Sequence, residues 1–112
     1  MIKPIVLKDN ETGETYTLEF SRESVMFAER KGFNIGDLEN KPMSCISDLF
    51  FYAFRMHHPR VARDKTDKML FEDLGGLSTE AIERLAALYA EPFNTLLPDE
   101  GTEKNVKMTV EL

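Results

Sequence analysis

Two adjacent histidines, His57 and His58, are the side chains in this sequence that most invite a search for a metal ion. Neighbouring residues on a helix point about 100° apart, so they rarely bind one ion together. No second cysteine and no HExxH motif accompanies them. A helix C-terminus, where the helix dipole favours an imidazolium, explains the pair better. The sequence therefore predicts neither a metal site nor a cofactor.

The acidic residues that follow are the next candidates for chemistry. They are Asp64, Asp67, Glu72 and Asp73. Asp64 and Asp67, three residues apart, would share one face of a helix. The cations interleaved with them are Arg60, Arg63, Lys65 and Lys68. This mixture favours a solvated, salt-bridged face over a pair of catalytic carboxylates.

Nucleophilic and phosphate-binding chemistry is also disfavoured. Cys45, the one cysteine, sits in an apolar pattern where a buried and inert thiol is expected. Gly75-Gly76 begins neither a Walker A motif nor a G-x-G-x-x-G motif. We therefore predict that the protein is not an enzyme and has no catalytic residue. The histidine pair and the carboxylates above are the groups that an enzymatic alternative would use.

These residues must be positioned by the stretch 41–59, KPMSCISDLFFYAFRMHHP, whose apolar side chains point in nearly every direction of a helical wheel. A helix that is apolar all round is buried. Pro42 suits its first turn, and Pro59 cannot continue it. We predict a central helix over about 42–57, around which the other elements pack. The side chains predicted to be fully buried are Leu49, Phe50, Ala53 and Phe54.

An N-terminal β-hairpin is predicted from strands at 2–8 and 14–20, joined by the turn-rich residues 9–13. Tyr16, Leu18 and Phe20 alternate with polar residues, as in a strand with one buried face. A lone hairpin is marginal in water, so its apolar face should pack on helices. Its strand edges carry unpaired backbone groups that invite a further strand.

Three further helices have recognisable caps. Ser21 is predicted to cap one over about 22–31, which Gly32 ends. The later two are predicted to be capped by Asp64 and by Ser78 or Thr79, with Gly75-Gly76 ending the first and Pro92 interrupting the second. Residues 33–41 are predicted as an irregular connector. The expected fold class is mainly α (α+β), with an N-terminal β-hairpin and about four helices around a buried central helix, in a single domain over 1–101.

The C-terminal tail, 102–112, has the alternation of a strand with one apolar side. Its apolar residues are Val106, Met108, Val110 and Leu112. We predict that the tail pairs with an edge of the hairpin, either its own or a neighbouring subunit's. These four residues would then serve partner binding or self-association. A disordered tail that awaits a partner is the alternative.

Composition excludes several classes of protein. A net charge of −6 argues against binding to nucleic acid or to an anionic membrane. The longest unbroken apolar run, 49–54, is too short to span a bilayer, and residues 1–14 lack the apolar core of a secretory signal. A single cysteine fits a reducing compartment. The expected protein is soluble and cytoplasmic.

Four segments within residues 14–97 form a recognisable series. They are TLEFSRESVMFAERKGF, KPMSCISDLFFYAFRMHHP, DKTDKMLFEDLGGL and the helix ending EPFNTLL. The most specific pieces are Phe20-Ser21, Phe27-Ala28-Glu29, Phe54-Arg55 with His58-Pro59, and Leu74-Gly75-Gly76-Leu77. The series resembles the small tail assembly chaperone-like proteins of siphophages and prophages. Its pieces are core, cap and turn positions, so the resemblance bears on fold more than on mechanism.

The resemblance implies a non-enzymatic role in phage tail assembly, in the cytoplasm of the bacterial host. Such chaperones coat the tape-measure protein before the tail tube polymerises around it, so copies are expected to contact one another. A small acidic helical protein would shield the apolar faces of a long helical chain. The alternative is a small intracellular adaptor or regulatory protein that binds one folded partner. Self-association, or a long coiled-coil gene immediately downstream, favours the chaperone.

Overall fold

The computed structural model describes residues 2–96, 107–108 and 111. Within that part of the chain an antiparallel hairpin, β1 (Ile5–Lys8) and β2 (Thr15–Leu18), precedes four α-helices. The helices are α1 (Arg22–Arg30), α2 (Pro42–Ala53), α3 (Arg63–Lys68) and α4 (Thr79–Ala90). The predicted fold class, a hairpin packed with about four helices, is confirmed.

The hairpin is shorter than predicted but has the predicted buried face. Ile5 lies opposite Leu18 and Leu7 opposite Tyr16. Tyr16 and Leu18 are buried, whereas the residues between and beside them are more exposed. The turn is held by Asp9, whose carboxylate accepts the N–H groups of the second and third residues after it. These bonds favour the charged carboxylate and hold the pKa of Asp9 below its usual value.

Helix α1 begins and ends as its sequence indicates. Ser21 and Ser24 form a reciprocal capping box at the N-terminus. At the C-terminus Gly32 has a φ of +92°, and the Phe33 N–H donates to the Ala28 carbonyl at 3.0 Å. This Schellman geometry turns the buried Phe33 ring back onto the core, where it contacts aromatic rings of α2 and α4.

Helix α2 is the centre of the core, as predicted. Leu49, Phe50, Ala53 and Phe54 are each no more than 1% exposed, which confirms their predicted burial. The Phe54 ring packs at 5.2 Å from the Phe50 ring and 5.7 Å from the Tyr16 ring of β2. The first turn differs from the rest of the helix, because Met43 is 73% exposed.

The end of α2 is a correction, because the helix stops at Ala53 and not near 57. In a longer helix the Ala53 carbonyl would accept the N–H of His57. It accepts the N–H of Glu19 instead, at 3.0 Å. The backbone N–H groups of Phe54 and Arg55 bond to carbonyls three residues back, so the chain tightens into turns after Ala53. Competition from the hairpin for one backbone carbonyl therefore ends the helix.

The segment after Pro59 contains a second correction. Asp64 is not the N-cap of α3, which starts at Arg63 with Ala62 as its N-cap. Asp64 lies in the first turn, where its charge still suits the helix dipole. The predicted continuation through residue 74 is a π-helical turn, Met69–Asp73, in which the Leu74 N–H donates to the Met69 carbonyl. The helical run ends before Gly75 and Gly76, as predicted, and both glycines have positive φ.

The remaining elements follow their predicted signals. The Ser78 hydroxyl caps α4 by accepting the Ala81 N–H at 3.1 Å. Helix α4 stops at Ala90, and Pro92 falls in the 3-10 helix Glu91–Leu96, so the predicted interruption is confirmed. The connector predicted over 33–41 contains one 3-10 turn, Ile35–Leu38, whose Ile35 and Leu38 side chains pack on the core.

The predicted tail strand lies mostly outside the described residues. Val106, Val110 and Leu112 are not among them. Met108 is described, and its side chain is 86% exposed.

Removing the Phe54 ring should destabilise the fold strongly. Phe54→Ala leaves a cavity in a packed aromatic core, with an expected cost of about 3–5 kcal/mol in the free energy of unfolding. Urea denaturation measures this change. Met43→Ala on the exposed first turn of the same helix is the matched control, with an expected change within about 0.5 kcal/mol. Equal midpoints for the two variants would contradict the assigned core.

Candidate interaction surface

The histidine pair lies just after α2 and serves the hairpin. The backbone N–H of Thr17 in β2 donates to His58 Nε2 at 2.9 Å, which places the proton of the neutral ring on Nδ1. The ring also packs edge-on against Tyr16 at 5.3 Å. His57 Nε2 lies 2.8 Å from a carboxylate oxygen of Glu19, in a half-exposed pair. The two rings therefore bond to different residues, one within β2 and the other directly after its last residue, Leu18.

The carboxylates near α3 form a structural bridge to α2. Arg63 bonds Asp48 Oδ1 at 2.6 Å and Asp67 Oδ1 at 3.3 Å. The Ser47 hydroxyl donates to Asp67 at 2.6 Å and accepts from Arg63 at 2.7 Å. Partial burial disfavours the Arg63 cation, but the hydrogen bonds and negative charges of Asp48 and Asp67 together outweigh that cost and leave the pKa of Arg63 raised. The predicted salt-bridged face is present at Asp67, while Asp64 bonds to the backbone N–H of Lys65.

The thiol predicted to be buried is buried. Cys45 is 3% exposed, and its Sγ lies 3.8 Å from the carbonyl oxygen of Asn34. Burial raises the pKa of this thiol, and the nearby carboxylates of Asp48 and Asp37 raise it further. Such a thiol has little thiolate near neutral pH. In the described part of the chain, no three side chains of the kinds that bind metals come together.

A surface groove of about 820 Å³ lies between α1 and the turns that follow α2. Helix α1 contributes Met26, Phe27 and Arg30, and the turns contribute Arg55 and Met56. The side chains of Met26 and Met56 are 47% and 42% exposed. Methionine is flexible and polarisable, so it adapts to apolar partners of varied shape.

The groove carries a local excess of positive charge. Its described lining residues include three arginines, Arg22, Arg30 and Arg55, and one glutamate, Glu23. The whole chain has a net charge of −6, so this face differs in sign from the protein as a whole. The Arg55 guanidinium carbon lies 3.6 Å from the centroid of the Phe27 ring. Stacking of this kind orders the cation at the wall of the groove.

A smaller apolar cleft of about 140 Å³ continues the same surface towards the 3-10 helix Glu91–Leu96. Phe93, which is 41% exposed, lines this cleft together with Val25, Pro92 and one acidic residue, Glu29, so arginines outnumber glutamates by three to two over the groove and the cleft together. Arg22 and Met26 line both the groove and the cleft, so the two are continuous. We call the combined surface, from Met56 and Arg55 across Met26 to Phe93, the α1 groove.

Sequence reasoning did not identify the α1 groove, although part of its signal is present. Arg22, Met26 and Arg30 are spaced four residues apart, which places them along one face of α1. The opposing wall, Arg55 and Met56, belongs to residues that were expected to continue the central helix. Of the four tail residues predicted to bind a partner, Met108 is exposed and the other three lie outside the described residues.

Comparison with known proteins identifies one family. The family described as "Domain of unknown function (DUF5055)" matches residues 1–112. No curated protein and no solved structure matches the chain. Among the described residues, no helix is both long enough and apolar enough to cross a membrane.

The two histidines should differ in their effect on stability. His58→Ala leaves the Thr17 N–H without its protein acceptor and removes a ring from the core edge, so a loss of about 1–3 kcal/mol is expected. His57→Ala removes only a half-exposed pair, with an expected loss of at most about 1 kcal/mol. Thermal or urea unfolding of both variants measures the difference. A larger loss for His57→Ala would contradict these assigned roles.

Proposed function

This chain belongs to the DUF5055 family, and from its surface we propose that it is a non-enzymatic binding protein. Its α1 groove receives a helical segment of a longer protein. The segment presents an apolar face flanked by carboxylates. In the setting that the sequence resemblance implies, the longer protein is the tape-measure protein of a phage tail, and this chain shields it during tail assembly in the cytoplasm of the bacterial host.

The observation that carries this proposal is the pairing of exposed methionines with arginines on one face of an acidic protein. Met26, Met56 and Phe93 offer apolar contact along the α1 groove. Arg30 and Arg55 stand at the same surface and would pair with acidic groups beside the apolar stripe of a bound helix. An amphipathic helix supplies both features at i, i+3, i+4 and i+7 spacing.

Shielding of a long helical chain has a physical rationale. Exposed apolar stripes along such a chain promote aggregation until the stripes are covered. Adaptable methionines suit a surface that must bind many similar but unequal segments, because the side chains can repack against each one. The net charge of −6 would keep the coated assembly dispersed.

A carboxylate introduced into the α1 groove should weaken partner binding without unfolding the chain. We expect Met26→Glu and Arg30→Glu each to weaken binding by about tenfold or more, since each puts a carboxylate where apolar or cationic contact is needed. Co-expression with a phage tape-measure protein, followed by pull-down and titration calorimetry, measures this effect.

The matched controls are Met43→Glu, at the exposed start of α2, and Arg84→Glu, on the exposed face of α4. Both should bind as the unaltered chain does. Equal weakening by the groove variants and the controls would contradict a specific groove. Binding of a single folded protein at one-to-one stoichiometry, with no affinity for helical segments, would favour the adaptor alternative.

A further inference from the structure

The two outer edges of the hairpin differ in whether their outward backbone groups are hydrogen-bonded. On the far side of β2, the Thr17 N–H donates to His58 Nε2 and the Glu19 N–H donates to the Ala53 carbonyl. The turns after α2 therefore cover that edge with hydrogen-bond acceptors. The N–H groups of Thr17 and Glu19 are therefore not free to bond another strand.

The outer edge of β1 is open. In an antiparallel pair, successive residues point their backbone groups alternately towards the partner strand and away from it. Asp9 bonds Glu14 across the hairpin, while Thr17 points away, so Val6, opposite Thr17, and Lys8 must direct their N–H and C=O groups outwards. Among residues 2–96 no hydrogen bond satisfies these outward groups. The Val6 side chain is 63% exposed.

The C-terminal tail carries the matching pattern. Val106, Met108, Val110 and Leu112 alternate with polar residues over a length suited to an edge strand. The described tail residues, 107–108 and 111, are exposed and outside the sheet. A single copy thus shows an open edge without joining these residues of its own tail to it.

We propose that the outer edge of β1 receives the tail, residues 106–112, of a second copy of this chain. Backbone bonds from Val6 and Lys8 would supply the attachment, and the alternating side chains of the tail would set the register. Charge does not oppose this pairing, because the tail segment carries one lysine, Lys107, and one glutamate, Glu111, and so brings no net side-chain charge to the exposed Lys8 of β1. The inference deepens the proposed function, since a coat needs copies that contact one another, but its test needs no partner protein.

The test blocks each half of the contact separately. Val6→Pro removes the outward N–H and leaves the bonds to β2 intact, because that N–H does not face β2. Val6→Thr, which keeps the N–H, is the matched control. A second variant, Met108→Pro with Thr109→Pro, removes donors on both sides of the tail strand. Light scattering and sedimentation measure mass, and circular dichroism checks that the helices persist.

The unaltered chain and Val6→Thr should have at least twice the mass of one 12.9 kDa chain. Each proline variant alone should fall to the mass of one chain. A mixture of the two should regain association, because one supplies the tail and the other supplies the edge. The proposal is overturned if the unaltered chain has the mass of one copy, if the tail variant retains its mass, or if the mixture does not associate. Should Val6→Pro lose its helical signal, Val6→Lys, which places a charge on the edge, takes its role.

Neither result decides the proposed function by itself. If the proline variants do not lower the mass, while the α1 groove variants still weaken binding to the helical partner, only the β1 edge contact is contradicted. Normal self-association without binding to helical segments removes the proposed function only.

Discussion

The structure depends on two hydrogen bonds that join the hairpin to the end of α2 and to the turns after it. The donors are the backbone N–H groups of Thr17 in β2 and of Glu19, which directly follows β2. The Ala53 carbonyl accepts the Glu19 N–H, and the ring of His58, five residues after Ala53, accepts the Thr17 N–H. Between these two bonds the Phe54 ring is placed against Tyr16 and Phe50. Because the bonds fix the orientation of the hairpin on α2, they also decide which side chains of the turns face inwards and which face outwards.

The residues directly after α2, 54–56, connect the core to the proposed binding surface. Phe54 points into the core at 1% exposure, while Arg55 and Met56 point out towards α1. The Arg55 guanidinium stacks on Phe27, and Met56 stands across from Met26 on the groove wall. The core thus fixes the backbone of this wall and the stacked Arg55 cation before a helix binds, which reduces the free energy lost in ordering them, while the methionines stay adaptable.

Local signals in the sequence predicted much of the fold, and long-range bonds account for what they did not predict. The Ser21 box, the Gly32 turn, the Ser78 cap and the Pro92 interruption are each decided by a few neighbouring residues, and each is present. The end of α2 depends on the distant Glu19, and the start of α3 coincides with a bridge from Arg63 to Asp48. The α1 groove combines residues about thirty positions apart in the sequence, so helical periodicity alone reveals only its Arg22–Met26–Arg30 side.

Amide hydrogen exchange, measured on the chain alone and on its complex with a long helical partner, tests the central claim most directly. The account predicts that added protection is concentrated in α1 and in residues 54–59, with smaller changes near Phe93 and little change in the first turn of α2. Protection confined to another face, with unchanged exchange in α1 and in residues 54–59, would contradict the α1 groove as the site of binding.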